Sequence, residues 1–226
     1  MDTEAMAAHK KELRSELRAR RAEAYGGPAG TAHRARESRL LLERAAALIA
    51  HVEATLTAAP AQPVLVAAYH PTPTEADVMP LARHLAELGA HLIFPVAAGR
   101  ELDWVSWDGS SPFLDSPGRG FGKEPSGSRL GPGALAAAAL VLAPAVAVDR
   151  SGTRIGHGAG YYDRALTAVR ADAAVVAVVH PGELLEAGTL PREEHDVPIP
   201  AVLTADALVS LVTIDGSWAP RPAIRS

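Results

Sequence analysis

The stretch that decides the fold is residues 138–166, which read AALVLAPAVAVDRSGTRIGHGAGYYDRAL. Its first half is a near-continuous apolar run, which is typical of a strand buried on both faces of a parallel sheet. Pro144 interrupts this run, and because proline cannot donate to a central ladder, the chain is expected to leave the sheet there. A glycine-rich turn over 152–160 and a helix over 161–171 come next. This order of strand, turn and helix predicts an α/β fold.

The flanking sequence repeats the alternation of short apolar runs and helical stretches. Such alternation favours a three-layer α/β architecture, an open and mainly parallel sheet flanked by helices. Residues 101–107 alternate apolar and polar side chains, which favours an edge strand, and two segments compete for the last strand. The predicted elements are strands over 64–69, 91–96, 101–107, 138–148, 175–180 and either 199–203 or 207–212, with a helix over 76–88.

The N-terminal part of the chain shows helical periodicity and no strand pattern. Apolar residues fall on one face of a helix over 3–24, which the Gly-Gly-Pro motif at 26–28 ends. A second helix is predicted to start near the capping residue Thr31 and to run to about residue 60. We therefore expect an antiparallel helix pair over about 3–59, before the sheet.

Composition narrows the class of protein. The chain has 226 residues, a formal net charge of −4 and no Cys, which excludes disulfides, thiolate nucleophiles and cysteine-ligated metals. We expect a single domain over 1–216 with a loose tail over 217–226. The longest apolar run, 134–148, is too short to cross a bilayer, and the N-terminus lacks a signal-peptide core. These two features predict a cytoplasmic protein without membrane partners. The chain has 4% aromatic residues and no dense basic face, which predicts that it has no nucleic-acid partner.

Gly156, Gly158 and Gly160 stand at alternate positions between a strand and a helix. Bare backbone amides and the positive end of a helix at such a point favour a bound phosphate. A connection that needs only positive φ angles is the alternative, for which one glycine would suffice. The spacing fits neither Walker A nor the dinucleotide fingerprint G-x-G-x-x-G, which excludes the common nucleotide loops and a Rossmann dehydrogenase.

Two further features have more than one interpretation. Residues 108–133 are rich in Gly, Pro and Ser and lack periodicity, which is typical of a functional lid or of a disordered insertion. His70 and His180 each precede a proline at the end of a strand, where open α/β sheets place ligands. A satisfied loop histidine is the more common outcome, so neither is assigned to the site. The other histidines show no paired ligand spacing, and no zinc site is predicted.

Five stretches occur together in a fixed order. The most specific is R-I-G-H-G-A-G-Y-Y-D-R, from Arg154 to Arg164. The others are K-K-E-L-R at 10–14, E-A-D at 75–77, F-G-K-E-P at 121–125 and H-D at 195–196, with V-L-T after it at 202–204. In order and spacing this set resembles the motifs of the 5-formyltetrahydrofolate cyclo-ligase family, also called methenyltetrahydrofolate synthetases.

The resemblance implies an activity and its cofactors. The family closes 5-formyltetrahydrofolate to 5,10-methenyltetrahydrofolate with ATP and Mg²⁺, and releases ADP and phosphate. A formyl amide oxygen is a poor leaving group, so phosphoryl transfer onto it would activate the carbon for attack by N10. Catalysis of this kind is mainly positioning and charge neutralisation. The expected partner is a small-molecule folate, with or without added glutamates, and the expected protein is a monomer.

The resemblance assigns charged side chains to the nucleotide and its metal. Asp163 and Asp196 would hold Mg²⁺, which takes few carboxylates and keeps phosphate and water ligands. Without the resemblance, Asp163 would be an acid in the first turn of a helix, and the basic run at 10–14 a solvated face. The predicted ATP-binding residues are Lys10, Lys11, Arg14, Arg154, Gly156, His157, Gly158, Ala159, Gly160, Tyr161 and Tyr162.

The resemblance also assigns the folate-binding and catalytic residues. Glu75 would bind the pterin, because a carboxylate accepts two parallel hydrogen bonds from its 2-amino-4-oxo edge. Phe121 and Tyr162 would pack on the flat rings of the folate. Arg154 and Tyr162 would be the catalytic residues. The loop over 121–125 lies inside the irregular segment 108–133, so we expect this loop to close over the folate as a lid.

Three positions depart from the family pattern. His157 stands where many relatives have Arg, Ala159 where they have Lys or Gly, and Val78 where they have Thr. Arginine is permanently charged, whereas free histidine is mostly neutral at neutral pH, so we expect weaker ATP binding than is typical. These departures leave a catalytically weak folate- or nucleotide-binding accessory homologue as an alternative. A sugar-phosphate isomerase on a related fold, which would need no ATP, is a third hypothesis.

Overall fold

Three helices, rather than two, precede the first strand. In the computed structural model, which describes residues 3–116, 122–193 and 196–211, they are α1 (Thr3–Tyr25), α2 (Gly27–Arg44) and α3 (Ala46–Ala58). The predicted start near Thr31 is wrong, because Pro28 is accommodated in the first turn of α2. The prediction of one continuous second helix is also wrong. The backbone bends at buried Ala45 (φ −79°, ψ 5°), which nothing in the local sequence signals.

A seven-stranded sheet forms the centre of the described structure. In chain order the strands are β1 (Leu65–Ala67), β2 (His91–Ala98), β3 (Glu101–Trp107), β4 (Phe113–Asp115), β5 (Lys123–Pro125), β6 (Ala138–Pro144), β7 (Ala147–Asp149), β8 (Arg154–Ile155), β9 (Ala174–Val178), β10 (Leu184–Leu185), β11 (Ala201–Leu203) and β12 (Leu208–Ser210). The main sheet has the order β12-β11-β9-β6-β1-β2-β3. Its inner strands pair in parallel, and β3 and β12 pair antiparallel at the edges. The predicted open, mainly parallel sheet is confirmed.

Alternating side chains send the two faces of the sheet into separate cores. On one face Val66, Leu140 and Val176 pack with residues of α3 and of α4 (Met79–Glu87). On the other face Ala67 and Val141 pack with residues of α5 (Tyr161–Leu166) and of a 3₁₀ turn over 132–137. Helices therefore cover both faces, which gives the three predicted layers.

The chain leaves the main sheet after Pro144, as predicted. β7 then pairs parallel with β10 and antiparallel with β8, which makes a small second sheet beyond the carboxyl end of β6. Because β8 begins at Arg154, this small sheet carries the start of the glycine-rich turn to the same end of the molecule.

Part of the 108–133 segment has regular structure. β4 and β5 form an antiparallel hairpin, and the ring of Phe113 lies 4.9 Å from that of Phe94 and 5.2 Å from that of Trp107, centroid to centroid. The hairpin is therefore attached to the edge of the main sheet. Phe121 lies outside the described residues.

Some predicted boundaries need correction. α4 starts at Met79 rather than at residue 76, because the Asp77 carboxylate accepts the Met79 amide hydrogen bond just before the helix. α5 ends at Leu166 rather than near residue 171, because the chain continues in tighter turns, from the Ala168 amide to the Ala165 carbonyl and onward. Both candidates for the last strand exist, as β11 and β12, and they pair with each other.

None of the helices in the described ranges combines the length and the apolar character that a membrane crossing requires. The predicted tail over 217–226 lies outside those ranges.

Replacing Leu48 by Ala tests the core between α3 and the sheet. Leu48 is 0% exposed, so the substitution should lower the free energy of unfolding by about 2–5 kcal/mol, measured by urea denaturation. The matched control is Leu114→Ala, at a position 55% exposed in the β4–β5 hairpin. This substitution should change the free energy of unfolding by less than about 0.5 kcal/mol. Equal effects of the two variants would contradict this description of the core.

Candidate active site

A cavity of about 750 Å³ opens beside the carboxyl ends of β1 and β6. This is the edge at which open α/β sheets bind ligands. Its wall combines one face of α1, the segment after β1, the glycine-rich turn before α5 and the segment around 193–196. The predicted site residues that line it are Lys10, Arg14, Glu75, Arg154, Gly156, His157, Gly158, Ala159, Gly160, Tyr161, Tyr162, Asp163 and Asp196.

Buried Asp149 organises the chain that leads into the glycine-rich turn. Its carboxylate accepts hydrogen bonds from the amides of Ser151 (2.9 Å), Thr153 (3.2 Å) and Leu190 (3.0 Å). Gly152 has φ +84°, and a Cβ there would lie 2.9 Å from the carbonyl oxygen of Ile199, so this position requires glycine. The Asp149 carboxylate therefore holds the backbone of this turn in place and is not part of the cavity lining.

Arginines of α1 lie against the glycine-rich turn. Arg14 Nε donates to the carbonyl of Gly156 (3.0 Å), and Arg18 Nη2 donates to the carbonyl of His157 (3.1 Å). Burial and the neighbouring charge of Arg18 lower the pKa of Arg14. Crowded cations at one wall of a cavity are suited to a polyanion such as a phosphate chain.

Arg154 is held at the base of the cavity. Its side chain is buried, and Nη2 donates to Oδ1 of Asp163 at 2.7 Å. The guanidinium carbon lies 5.9 Å from the centroid of the Tyr162 ring. Its Nε is buried and has no hydrogen-bond partner among the described residues. Arg154 thus has a donor to offer besides its ion pair.

Lys10 makes a second ion pair with a predicted metal ligand. Its Nζ lies 2.5 Å from Oδ2 of Asp196 and 2.7 Å from Oε2 of Glu193. Asp196 therefore stands opposite Lys10 as Asp163 stands opposite Arg154. Each predicted metal carboxylate is paired with a predicted phosphate-binding cation, so both signs of charge are in place for a metal–phosphate complex.

The basic face of α1 differs from the one predicted by sequence. Lys11 is exposed and lies outside the cavity lining. Arg18, which the sequence prediction leaves out, lines the cavity with Lys10 and Arg14. Because residues four apart share one helix face, the spacing 10, 14, 18 is a signal that could have found Arg18.

Glu75 is buried in the segment after β1 that lines the cavity. Its Oε2 accepts the Thr72 amide (2.7 Å), and its Oε1 accepts from Nε2 of His157 (2.7 Å) and lies 3.7 Å from Arg21 Nη1. Burial opposes ionisation of Glu75, but hydrogen bonds from His157 and Thr72, with the nearby Arg21, lower its pKa overall. Glu75 is therefore a carboxylate at neutral pH.

His157 connects the α1 arginines to Glu75. Its Nδ1 accepts from Arg18 Nη2 at 3.0 Å, while its Nε2 donates to Glu75. A guanidinium can only donate, so this geometry uses Nδ1 of His157 as an acceptor and Nε2 as the donor. The glycine-rich turn and the predicted pterin carboxylate thus touch each other directly through this side chain.

Tyr162 lines the cavity beside the Arg154 guanidinium. Its hydroxyl is buried without a hydrogen-bond partner in the described ranges, and burial raises its pKa above the ordinary value. A buried hydroxyl without a partner loses hydrogen-bonding free energy unless a ligand supplies one. The neighbouring Tyr161 donates instead to the carbonyl of Gly99 (2.8 Å).

Two residues predicted from the motifs lie outside the described ranges, and two others join the cavity wall. Phe121 and His195 are the residues outside those ranges. Lys123, the lysine of the F-G-K-E-P motif, lines the cavity. His70 also lines it, and its buried Nδ1 has no hydrogen-bond partner in the described part of the chain.

The donor set is compatible with Mg²⁺ but does not form a cage for it. No group of three or more His, Asp or Glu side chains that could hold a metal occurs in the ranges 3–116, 122–193 and 196–211. Asp163 and Asp196 are carboxylates at the cavity wall, with phosphate and water left to supply other ligands. That arrangement suits Mg²⁺ bound together with a nucleotide.

The comparisons with known proteins agree on one class, an α/β enzyme of folate metabolism. A model described as the 5-formyltetrahydrofolate cyclo-ligase family matches residues 6–205. A Mycolicibacterium smegmatis protein named 5-formyltetrahydrofolate cyclo-ligase is 41% identical over 143 residues, which cover 62% of this chain and 72% of that protein.

Solved structures show the same fold. An NMR structure of Aquifex aeolicus 5,10-methenyltetrahydrofolate synthetase has a TM-score of 0.59 at 26% identity, and covers 92% of this chain and 94% of that one. The 5,10-methenyltetrahydrofolate synthetase from Mycoplasma pneumoniae has a TM-score of 0.59 at 18% identity over 87% of this chain and 98% of that one, which supports the fold alone. The chain belongs to the 5-formyltetrahydrofolate cyclo-ligase family and is an enzyme.

Replacing Glu75 by Gln tests its ionisation in the folded state. Because the folded-state pKa is depressed, the carboxylate stabilises the fold above its ordinary pKa, and this contribution is lost as pH falls through the depressed value. In urea unfolding near pH 6, the free energy of unfolding of wild type should exceed that of Glu75→Gln by about 1 kcal/mol. The difference should shrink as pH falls below the ordinary pKa of a glutamate.

The matched control is Glu23→Gln, on an exposed part of α1. It should leave the pH dependence of unfolding unchanged. A difference between wild type and Glu75→Gln that stays constant with pH would contradict an ionised, stabilising Glu75.

Proposed function

We propose that this chain converts 5-formyltetrahydrofolate to 5,10-methenyltetrahydrofolate with consumption of ATP. The single observation that supports this best is that one cavity brings together cations for phosphates, two carboxylates for Mg²⁺ and a separate buried carboxylate for a pterin. Family membership supports the reaction class. The cytoplasmic location and monomeric state are part of the same proposal.

In this proposal the triphosphate lies along the wall that α1 and the glycine-rich turn share. Arg14 and Arg18 already contact the turn, and the Nε of Arg154 faces no other partner in the described structure. Lys10 and Arg154 would exchange part of their pairing with Asp196 and Asp163 for phosphate oxygens. The two aspartates would then be available to Mg²⁺, which neutralises phosphate charge when bound.

The folate would lie at the Glu75 wall. An ionised carboxylate accepts two parallel hydrogen bonds from the amino and ring N–H groups of a pterin, and Glu75 is ionised and faces the cavity. The Thr72 amide and His157 each bond to one of its oxygens, and His157 would have to move aside. The buried Tyr162 hydroxyl would gain a polar partner from the ligand.

The chemistry then needs positioning more than covalent help from the protein. The formyl oxygen forms a bond to the γ-phosphorus while the bond from that phosphorus to ADP breaks. N10 then forms a bond to the formyl carbon and loses its proton, and the carbon–oxygen bond breaks to release phosphate. Arg154 and Tyr162, between the two ligands, would orient the reacting groups and neutralise developing charge. The predicted lid over 121–125 stays a candidate, because its Gly122 and Lys123 line the cavity.

The accessory-homologue alternative makes a different prediction. It arises from the replacements His157 and Ala159 in the glycine-rich turn, and it requires ligand binding without turnover. The isomerase hypothesis requires turnover of another substrate without ATP. Nucleotide-dependent formation of the methenyl product therefore separates all three.

Turnover should depend on ATP, Mg²⁺ and the Asp163 carboxylate. The methenyl product, followed by its near-ultraviolet absorbance, should form only with both ATP and Mg²⁺. Asp163→Asn should lower kcat by about a hundredfold or more, through loss of a metal ligand and of the Arg154 partner. Asp172→Asn, at an exposed position paired with Arg170, is the matched control and should keep full activity. Folate binding without any product from wild type would favour the accessory homologue.

Replacing His157 by Arg should strengthen nucleotide binding. A permanent cation on the glycine-rich turn adds attraction for phosphate, so the KM for ATP should fall by about three- to tenfold. His84→Arg, on α4 and remote from the cavity lining, should not change it. An unchanged KM for ATP in His157→Arg would refute the expectation that His157 weakens nucleotide binding.

A further inference from the structure

His180 is a buried histidine between two oxygen acceptors. It comes after β9 and is 1% exposed. Its Nδ1 lies 2.5 Å from Oε2 of Glu37 on α2, and its Nε2 lies 3.0 Å from the carbonyl oxygen of Thr74. A carbonyl oxygen can only accept, so Nε2 carries a proton. A second proton lies between Nδ1 and the carboxylate.

The stacked Tyr25 ring and the ionised Glu37 carboxylate both favour that second proton on the ring. Burial opposes ionisation of Glu37, but the hydrogen bond and charge of His180, then the Tyr25 hydroxyl and His33, hold the pKa of Glu37 below its ordinary value. The Tyr25 ring stacks on the His180 ring, with centroids 3.5 Å apart and planes at 14°, and an aromatic face favours a cation. Glu183 also lies beside His180. Its carboxylate accepts the His180 amide hydrogen bond at 3.0 Å and is paired with Arg21.

The Nε2 hydrogen bond acts on the residue directly before Glu75. On the other side of that residue, Arg34 Nε donates to the Glu75 carbonyl. The peptide segment that carries Glu75 is therefore held on both sides of the side chain by cationic donors. Hydrogen bonds of this kind set where a carboxylate points and how well it is oriented for a planar ligand.

We propose that His180, doubly protonated between Glu37 and the Thr74 carbonyl, is a positioning residue that aims the Glu75 carboxylate at the pterin edge of the folate. This role rests on the proposed function of Glu75. His180 does not line the cavity, so it acts only through the 72–77 segment. His157 on the same carboxylate differs, because it lines the cavity and contacts Glu75 directly.

The proton state is tested directly by ¹⁵N NMR of the histidine rings in the full-length protein. Both ring nitrogens of His180 should show protonated-type shifts at neutral pH, assigned by comparison with His180→Gln. Replacing Glu37 by Gln should remove the proton from Nδ1 and leave Nε2 protonated. An unprotonated Nδ1 in wild type would overturn the proposal.

The positioning role is tested by separating the two KM values. His180→Gln keeps a donor for only one of the two acceptors and should raise the KM for 5-formyltetrahydrofolate about tenfold, with the KM for ATP unchanged. The matched control is His33→Gln. His33 also faces Glu37, at 3.3 Å, but its side chain is 49% exposed and bonds to no part of the 72–77 segment, so both KM values should stay the same.

A folate KM within twofold of wild type in His180→Gln, or an equal rise in both KM values, would overturn the inference. Where His180→Gln does not fold, Glu37→Gln carries the same test, with a smaller expected rise in the folate KM alone. Glu75→Gln separates this inference from the proposed function. If it raises the folate KM while His180→Gln does not, only the inference fails; if it changes nothing, the folate role of Glu75 fails, and the inference with it.

Discussion

The arrangement of the cavity depends on the ion pair that fastens α1 to the carboxyl end of the sheet. Arg21 is buried; its Nε donates to Oε1 of Glu183 at 2.5 Å, and its Nη2 donates to the carbonyls of Ala145 and Val146 at 2.8 and 3.0 Å. Those carbonyls come directly after β6 ends at Pro144, where the backbone has no ladder partner in the main sheet. One guanidinium thus satisfies backbone oxygens that the departure of the chain exposes, and it cannot be removed without leaving a buried carboxylate unpaired.

The rest of the charged cavity depends on that attachment. With Arg21 fixed, the preceding turns of α1 bring Lys10, Arg14 and Arg18 along the cavity wall. Each meets an acceptor that another part of the chain supplies: Asp196, the Gly156 carbonyl and the His157 carbonyl. Asp163, Glu193 and Asp196 supply negative charge at the cavity, whereas Arg14 and Arg18 meet neutral carbonyls. In the proposed reaction, phosphate oxygens would replace the protein oxygens that these cations contact. The charge of a metal–nucleotide complex would then enter a polar cavity and not an apolar interior.

Local patterns were sufficient for the main features of the fold, and the motifs of the resemblance named residues that the structure brings to one cavity. The apolar run before Pro144 predicted both the buried strand and the point where the chain leaves the sheet, because both depend on residues close in sequence. The bend at Ala45 was missed, since no glycine or proline marks it and the cause lies in packing. Arg18 was missed although its spacing from Arg14 was available. The partners of His180 could not be found, because Glu37 is 143 positions away and only the folded chain brings the two together.

The way in which α1 is attached also limits how this chain can vary. The four cations that face the sheet edge are spread over about three helical turns, and each residue inserted into a helix rotates all later positions by about 100°. A single insertion or deletion between Lys10 and Arg21 would turn Arg21 away from the face of α1 that carries Lys10, Arg14 and Arg18, so Arg21 and the cavity-lining cations could not all keep their partners. Changes of length should therefore be rare in this part of homologous chains and common around the exposed β4–β5 hairpin. The length of α1 thus fixes the spacing of the cations along the cavity wall.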